Sequence, residues 1–280
     1  MENAIEIKGL CRKFSQFSLN NIDLTVQKGT VMGFIGENGA GKTTTIKCIL
    51  GLLNGGSGSV TVLGENAADL SAETKEKIGV VFDGLCFPEN LNAVQLDKVM
   101  SGLYKQWSSD TFFGYINRFG LPTKKKFSTF SRGMEMRLSM AAALSHGAEL
   151  LVLDEPTSGL DPVMRSEILD ILLEFMQDED HSILLSTHIT SDLEHIADYI
   201  TFIHCGELVF TEERNDMRDR YRILKCTEQD IDRIDKADII GMKKTRFTTE
   251  VLTINAEKYP DIVSDIPSIE DIMVFYVKEQ

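Results

Sequence analysis

Gly36–Glu37–Asn38–Gly39–Ala40–Gly41–Lys42–Thr43–Thr44 sets three glycines, a lysine and two threonines at the spacing GxxxxGK[ST]. The chemistry this suits is the binding of a triphosphate. Glycines let successive backbone N–H groups turn inward on an anion. The helix that follows adds partial positive charge at its N-terminus. Lys42 has the reach for β- and γ-phosphates, and the Thr43 hydroxyl can ligate Mg²⁺. Gly36, Asn38, Gly39, Gly41, Lys42, Thr43 and Thr44 are therefore the candidate nucleotide contacts. A second cluster lies where Leu150–Leu151–Val152–Leu153 runs into Asp154–Glu155. Acids at the carboxyl end of a buried parallel strand face the ligand crevice. Asp154 would hold Mg²⁺ through water, and Glu155 would orient or deprotonate the attacking water. Alone, an apolar run ending in acids is common and usually just solvated; behind a phosphate loop the functional reading is the stronger.

The elements that must position these groups are legible as patterns. Val31 to Ile35, Leu150 to Leu153 and Ile183 to Leu185 are short continuous apolar runs, as in strands buried on both faces. Each is followed by a turn and helical periodicity, the first by a helical stretch from Thr45 to Leu53, which predicts an α/β domain around a mostly parallel sheet. Ile5–Glu6–Ile7 and Leu19 to Val26 alternate like half-buried antiparallel strands. Residues from about 85 to 145 are rich in helix formers and aromatics and read as a helical insert. Arg214 to Arg220 is a linker or an exposed helix. A compact unit follows: a strand over Tyr221 to Cys226, a helix over Glu228 to Ile234, a hairpin from Lys243 to Ile254, and a last helix opened by a capping box of Ser268 and Asp271. The domains expected are a large α/β domain over 1–213, with the helical insert within it, and a small C-terminal unit over 214–280. No motif of the phosphate site lies in the latter, so a chain ending near Glu213 is expected to fold and bind nucleotide.

Composition limits what else the chain does. Its 280 residues carry 42% apolar and 26% charged side chains, as in ordinary globular proteins, and a net charge of −14. Such acidity argues against sequence-independent nucleic-acid binding and against holding an anionic membrane by surface charge. The longest apolar run, Ile272 to Val277, is six residues; a spanning helix needs about 20. The N-terminus from Met1 to Ala4 has neither a basic region nor a long apolar stretch, so no secretory signal is expected. Cys11, Cys48, Cys86, Cys205 and Cys226 form no CxxC pair and read as reduced thiols in a cytosolic setting.

Together the motifs resemble those of the ATP-binding subunits of ABC transporters, over residues 4 to about 210. Pro156–Thr157–Ser158–Gly159–Leu160–Asp161 matches the family's D-loop, and His188 its switch histidine, paired with Glu155 to sense the γ-phosphate. Phe14 falls where the family places an aromatic that stacks on adenine. Phe130–Ser131–Arg132–Gly133–Met134 stands where the LSGGQ signature belongs, so Ser131 and Gly133 would face the γ-phosphate bound by a second cassette. Several of these have plainer readings, Phe14 as core and Ser131 as a helix cap among them. The fold implied is a P-loop NTPase core with a mostly parallel sheet, an antiparallel β lobe, a helical insert and a small α+β C-terminal domain. The tail from about 221 resembles that of bacterial exporter subunits of the antibiotic- and bacitracin-resistance type.

Two positions depart from the family. Arg132 replaces the signature's second glycine, beside Met134 in place of Gln. Asp83 follows the strand Ile78 to Phe82 where a Gln is expected, the nearest Gln being Gln95. Asp83 there would act on Mg²⁺, directly or through one of its waters, the alternative being a loop that turns outward and leaves Asp83 a solvated surface acid. The function implied is ATP hydrolysis at the interface of a homodimer or heterodimer of cassettes. It would power transport, in the export direction, by separate integral membrane subunits from the cytoplasmic face of the cell membrane. The alternatives are a regulatory cassette of low turnover, which Asp83 and Arg132 favour and Glu155 and His188 oppose, and a non-transport member. Against the latter, phosphate loop and signature are too close for an intervening coiled coil, and there is one cassette. A small GTPase is excluded by the missing NKxD motif.

Overall fold

The computed structural model describes residues 2–53, 55–245 and 248–277. In chain order the strands are β1 (Asn3–Lys13), β2 (Ser18–Gln27), β3 (Val31–Ile35), β4 (Ser57–Val62), β5 (Glu65–Asn66), β6 (Ile78–Val81), β7 (Leu150–Asp154), β8 (Ser182–Thr187), β9 (Tyr199–His204), β10 (Glu207–Glu213), β11 (Arg222–Cys226), β12 (Gly241–Lys244), β13 (Thr249–Thr253) and β14 (Ser264–Asp265). The helices are α1 (Lys42–Ile49), α2 (Ala72–Glu76), α3 (Ala93–Leu103), α4 (Ser109–Arg118), α5 (Arg132–Ala143), α6 (Pro162–Phe175), α7 (Thr190–Ile196), α8 (Arg214–Arg220), α9 (Glu228–Ile231) and α10 (Ile269–Val277).

The central six-stranded sheet has the order β10-β9-β3-β8-β7-β6 and is parallel throughout except for β10 against β9. The apolar runs of β3, β7 and β8 are wholly buried, as strands covered on both faces must be. Four parallel strands end at one edge, and each end leads into a residue of interest: Gly36 after β3, Asp83 two residues after β6, Glu155 after β7 and His188 after β8. A second sheet, β2-β1-β4-β5, is antiparallel, and β2 alternates buried and exposed side chains as its sequence does. Its inward face shares a core with α1 and one face of the central sheet through Ile5, Ile7, Leu24, Ile46, Ile49 and Phe34.

Between residues 93 and 143 the regular elements are α3, α4, α5 and one short 3₁₀ turn, with no strand among the described residues. Phe112 and Phe127 are fully buried there, so these aromatics are core. The helix after the phosphate loop is shorter than its periodicity suggests, ending at Ile49 and not Leu53. Gly51 turns the chain with φ +65, where a Cβ would lie 2.1 Å from the Ala67 carbonyl oxygen. No helix among the described residues is long and apolar enough to cross a membrane, and none of the five cysteines is paired.

The tail forms the third sheet, β12-β13-β11-β14, with α9 and α10. Arg214 to Arg220 is helical. Ser268 and Asp271 make the capping box, each backbone N–H donating to the other's side chain, at 3.0 and 3.1 Å. The hairpin is present as β12 and β13; Arg246 and Phe247 between them lie outside the described residues. The unit has a small core of its own around Leu224, Cys226, Val251 and Tyr259. Tyr221, Ile223, Leu252, Ile269, Ile272 and Phe275 instead join the main core of the cassette. The Tyr221 hydroxyl donates to Glu212 at 2.8 Å and lies 3.1 Å from that of Tyr276, and burial pushes its ionisation far above the usual phenol range. Each such apolar side chain contributes about 1.5–3 kcal/mol on burial. A chain ending at Glu213 should therefore melt at least about 5 °C lower than the whole chain in a fluorimetric melt. Equal melting temperatures would mean that the tail rests on the cassette without stabilising it.

Candidate functional site

Gly41 turns the phosphate loop with φ +120, in a conformation a side chain would strain, and a Cβ there would meet Leu19 and Phe17. The loop thereby closes onto the start of α1, whose first residue is Lys42. Lys42 is buried, and its ammonium donates to the carbonyls of Gly36 at 2.6 Å and Glu37 at 3.2 Å. It also lies 3.6 Å from Glu155 Oε1. The charge is thus held over the loop by backbone oxygens before any ligand arrives.

A cavity of about 390 Å³ opens beside it, lined by Phe17, Glu37, Asn38, Gly39, Gly41, Lys42, Thr43, Thr44, Asp83, Asp154 and Glu155. Asp154 is buried at the end of β7 and accepts from the Thr43 hydroxyl at 2.7 Å through Oδ2. Its Oδ1 is buried and has no partner. Glu155 stands at φ +55, a left-handed conformation uncommon outside glycine. Its Oε2 lies 2.7 Å from His188 Nδ1 and also accepts, at 3.4 Å, from the His188 backbone N–H. The carboxylate is thus fixed between Lys42 and His188, with Oε1 finding no hydrogen-bond donor.

Among the described residues no group of three or more His, Cys, Asp or Glu side chains gathers as a self-sufficient metal centre. What is present is a hydroxyl, a carboxylate with a free buried oxygen, and room for phosphates. That donor set fits Mg²⁺, which prefers hard oxygens, keeps several waters and is usually bound by one or two carboxylates together with substrate phosphates.

The remaining candidates sort themselves around the cavity. Phe14 is not among its lining residues; Phe17 is. The turn between β1 and β2, closed by the Phe14 N–H on the Phe17 carbonyl at 2.7 Å, carries Phe17 to the loop. Phe14 lies outside it, with ring centroids 6.2 Å apart and the Arg12 guanidinium over its own ring. The only sequence signal for Phe17 was that it is the second aromatic of Phe14–Ser15–Gln16–Phe17. Ser131 and Gly133 do not line the cavity either. Ser131 caps α5, accepting from the Met134 N–H at 3.4 Å, and a side chain at Gly133 would lie 3.3 Å from Leu160 of the next loop. Arg132 donates to Asp83 at 2.5 Å. A second cavity of about 470 Å³ is walled by Gly36, Glu37 and His188 on one side and by Glu270, Met273, Val274 and Val277 of α10 on the other, so the tail reaches the back of the site.

Several known proteins are similar to this chain. The family model described as "ABC transporter" matches residues 19–158. The chain is 34% identical over 272 residues to the bacitracin transport ATP-binding protein BcrA of Enterococcus faecalis, covering 95% of this chain and 88% of that one. It is 35% identical over 212 residues to the lantibiotic transport ATP-binding protein SrtF of Streptococcus pyogenes, covering 75% of this chain and 90% of that one. A solved ATP-binding subunit of an ABC transporter superimposes with a TM-score of 0.68 at 26% identity, covering 77% of this chain and 92% of its own. A dimeric cassette in a post-hydrolysis state with ADP and Pi shares the fold, with a TM-score of 0.66 at 21% identity, over 75% of this chain and 98% of that one. With its strand–loop–helix phosphate motif lining one cavity with a buried lysine, the chain belongs to the ATP-binding subunits of the ABC transporter family.

Proposed function

We propose that the cassette over 1–213 hydrolyses ATP in a dimer whose two sites are each built from both chains. The separation of Lys42, Thr43, Asp154 and Glu155, which share the cavity, from Ser131 and Gly133, which lie outside it, carries this reading. Gly36, Asn38, Gly39, Gly41, Lys42, Thr43 and Thr44 hold the phosphates, with Phe17, backed by Phe14, as the base-side wall. Thr43 and Asp154 would hold Mg²⁺ with the phosphates, and Asp83 stands as a further carboxylate lining the cavity. The metal would supply neutralisation of phosphate charge. Glu155 orients the attacking water and takes its proton; His188 keeps that carboxylate turned inward. Ser131 and Gly133, at the N-terminus of α5, meet the anion bound by the other chain.

The names of the relatives extend the reading. The dimer powers export of a peptide antibiotic of the bacitracin or lantibiotic kind through separate membrane-spanning subunits, which hold it at the inner face of the membrane. Residues 214–280 form an accessory unit. ATPase rate per chain, measured across protein concentrations, tests the shared sites. It should rise with concentration and level off as dimers saturate. A rate per chain constant down to nanomolar protein would mean that each chain works alone.

A further inference from the structure

Four carboxylates line the nucleotide cavity, those of Glu37, Asp83, Asp154 and Glu155, against one lysine. A triphosphate is itself strongly anionic, so each acid needs a counterweight. Glu155 has Lys42 and His188, Asp154 has the Thr43 hydroxyl, and the exposed Glu37 lies 3.9 Å from His204 Nδ1. Asp83 has Arg132, which reaches it from outside the cavity: Nη2 donates to Oδ1 at 2.5 Å across 49 positions of sequence. Arg132 is the first residue of α5, where a cation opposes the helix dipole, so its placement needs a reason. The stem of Arg132 lies against Gly159, the nearest atom to a Cβ there being its Cδ at 3.9 Å. The two positions that depart from the family's pattern are thus partners of each other.

We propose that Arg132 is the counter-charge that lets an acid stand at residue 83 of an ATP site, making the two residues one functional unit. The inference rests on the assignment of the cavity to ATP. As a stabilising contact the pair matters little, since both side chains are half-exposed, at 55% and 42%. Its effect falls on the ligand. With Arg132 in place, Asp83 presents a neutralised edge to the phosphates. Without it, a bare carboxylate lines the cavity that takes them, and at effective dielectric constants between protein surface and water such a repulsion weakens binding about three- to tenfold. Arg132 is on this view a positioning and neutralising residue that acts through Asp83 and does not itself bind nucleotide in its own chain.

The test is a double-mutant cycle read by calorimetric ATP affinity in low salt, with EDTA and again with excess Mg²⁺, using the full chain. Arg132→Ala, and Arg132→Gln as a milder variant, should bind metal-free ATP about three- to tenfold more weakly than wild type, with a smaller loss when Mg²⁺ is present. Asp83→Asn should bind metal-free ATP at least as tightly as wild type. The Asp83→Asn, Arg132→Ala double variant should regain the affinity of Asp83→Asn. Two results would overturn the proposal: Arg132 variants that bind metal-free ATP like wild type, or a double variant as weak as Arg132→Ala alone. Lys42→Ala run alongside separates the levels of the argument. If it too binds like wild type, the assignment of the cavity to ATP fails, and the counter-charge falls with it.

Discussion

Glu155→Gln should leave a chain that binds ATP and scarcely turns it over, and in Mg-ATP it should run as a dimer where wild type runs as a mixture. The substitution keeps the shape of the side chain and the left-handed backbone at φ +55, and removes the base and the charge 3.6 Å from Lys42. A positioned general base contributes about 10²–10⁴ in rate, so hydrolysis should fall by at least about a hundredfold. Binding two ATP molecules between two chains links association to nucleotide, and without hydrolysis nothing reopens the pair. Light scattering with and without Mg-ATP reads the dimer, and phosphate release reads the rate. A Glu155→Gln chain that stays monomeric in saturating Mg-ATP would argue against a homodimer and for a different cassette as partner.

Lys42→Ala should abolish turnover and cut ATP affinity at least about tenfold. The ammonium lies buried over the loop, held by the Gly36 and Glu37 carbonyls, so its geometry is set in advance and little ordering is lost on binding. Losing a charge-assisted contact to an anion costs about 1.5–3 kcal/mol. The gap left at Lys42 also frees Glu155 Oε1 from its only nearby cation among the described residues, adding repulsion toward the γ-phosphate. Calorimetry decides it: unchanged affinity would mean that phosphates are bound elsewhere.

The part of the site legible in the sequence was the part fixed by local backbone chemistry. A glycine-spaced loop between a fully apolar strand and a helix has few other uses, and β3, the loop and α1 appear as that pattern demands. Asp154 and Glu155 were equally plain, because an acid pair closing a buried strand has to sit at the sheet's edge. What stayed hidden depends on packing between distant segments. Asp83 and Arg132 were each visible as departures, but their meeting depends on how the helical insert lies against the end of β6. Phe14 and Phe17 are separated only by the hydrogen bond that closes their turn. The tail's elements were readable from a capping box and strand-forming runs. That Ile272 and Phe275 belong to the cassette's core and Val251 to the tail's own was not, because an apolar residue carries no mark of which core it joins.

The position of α10 bears on how the protein is handled at the bench. Its last described turn, at Val277, walls a cavity whose other side is Gly36, Glu37 and His188. A fluorophore attached at Met273 or Val274 would sit beside the histidine that holds Glu155 and the first glycine of the phosphate loop. Kinetic constants from a chain labelled there would carry the label's own contribution. β1 begins at Asn3, and none of its residues lines the nucleotide cavity. A label on an exposed residue of β1 is therefore the one that leaves turnover readable, and comparing the two labelled chains would measure how closely α10 is wired to catalysis.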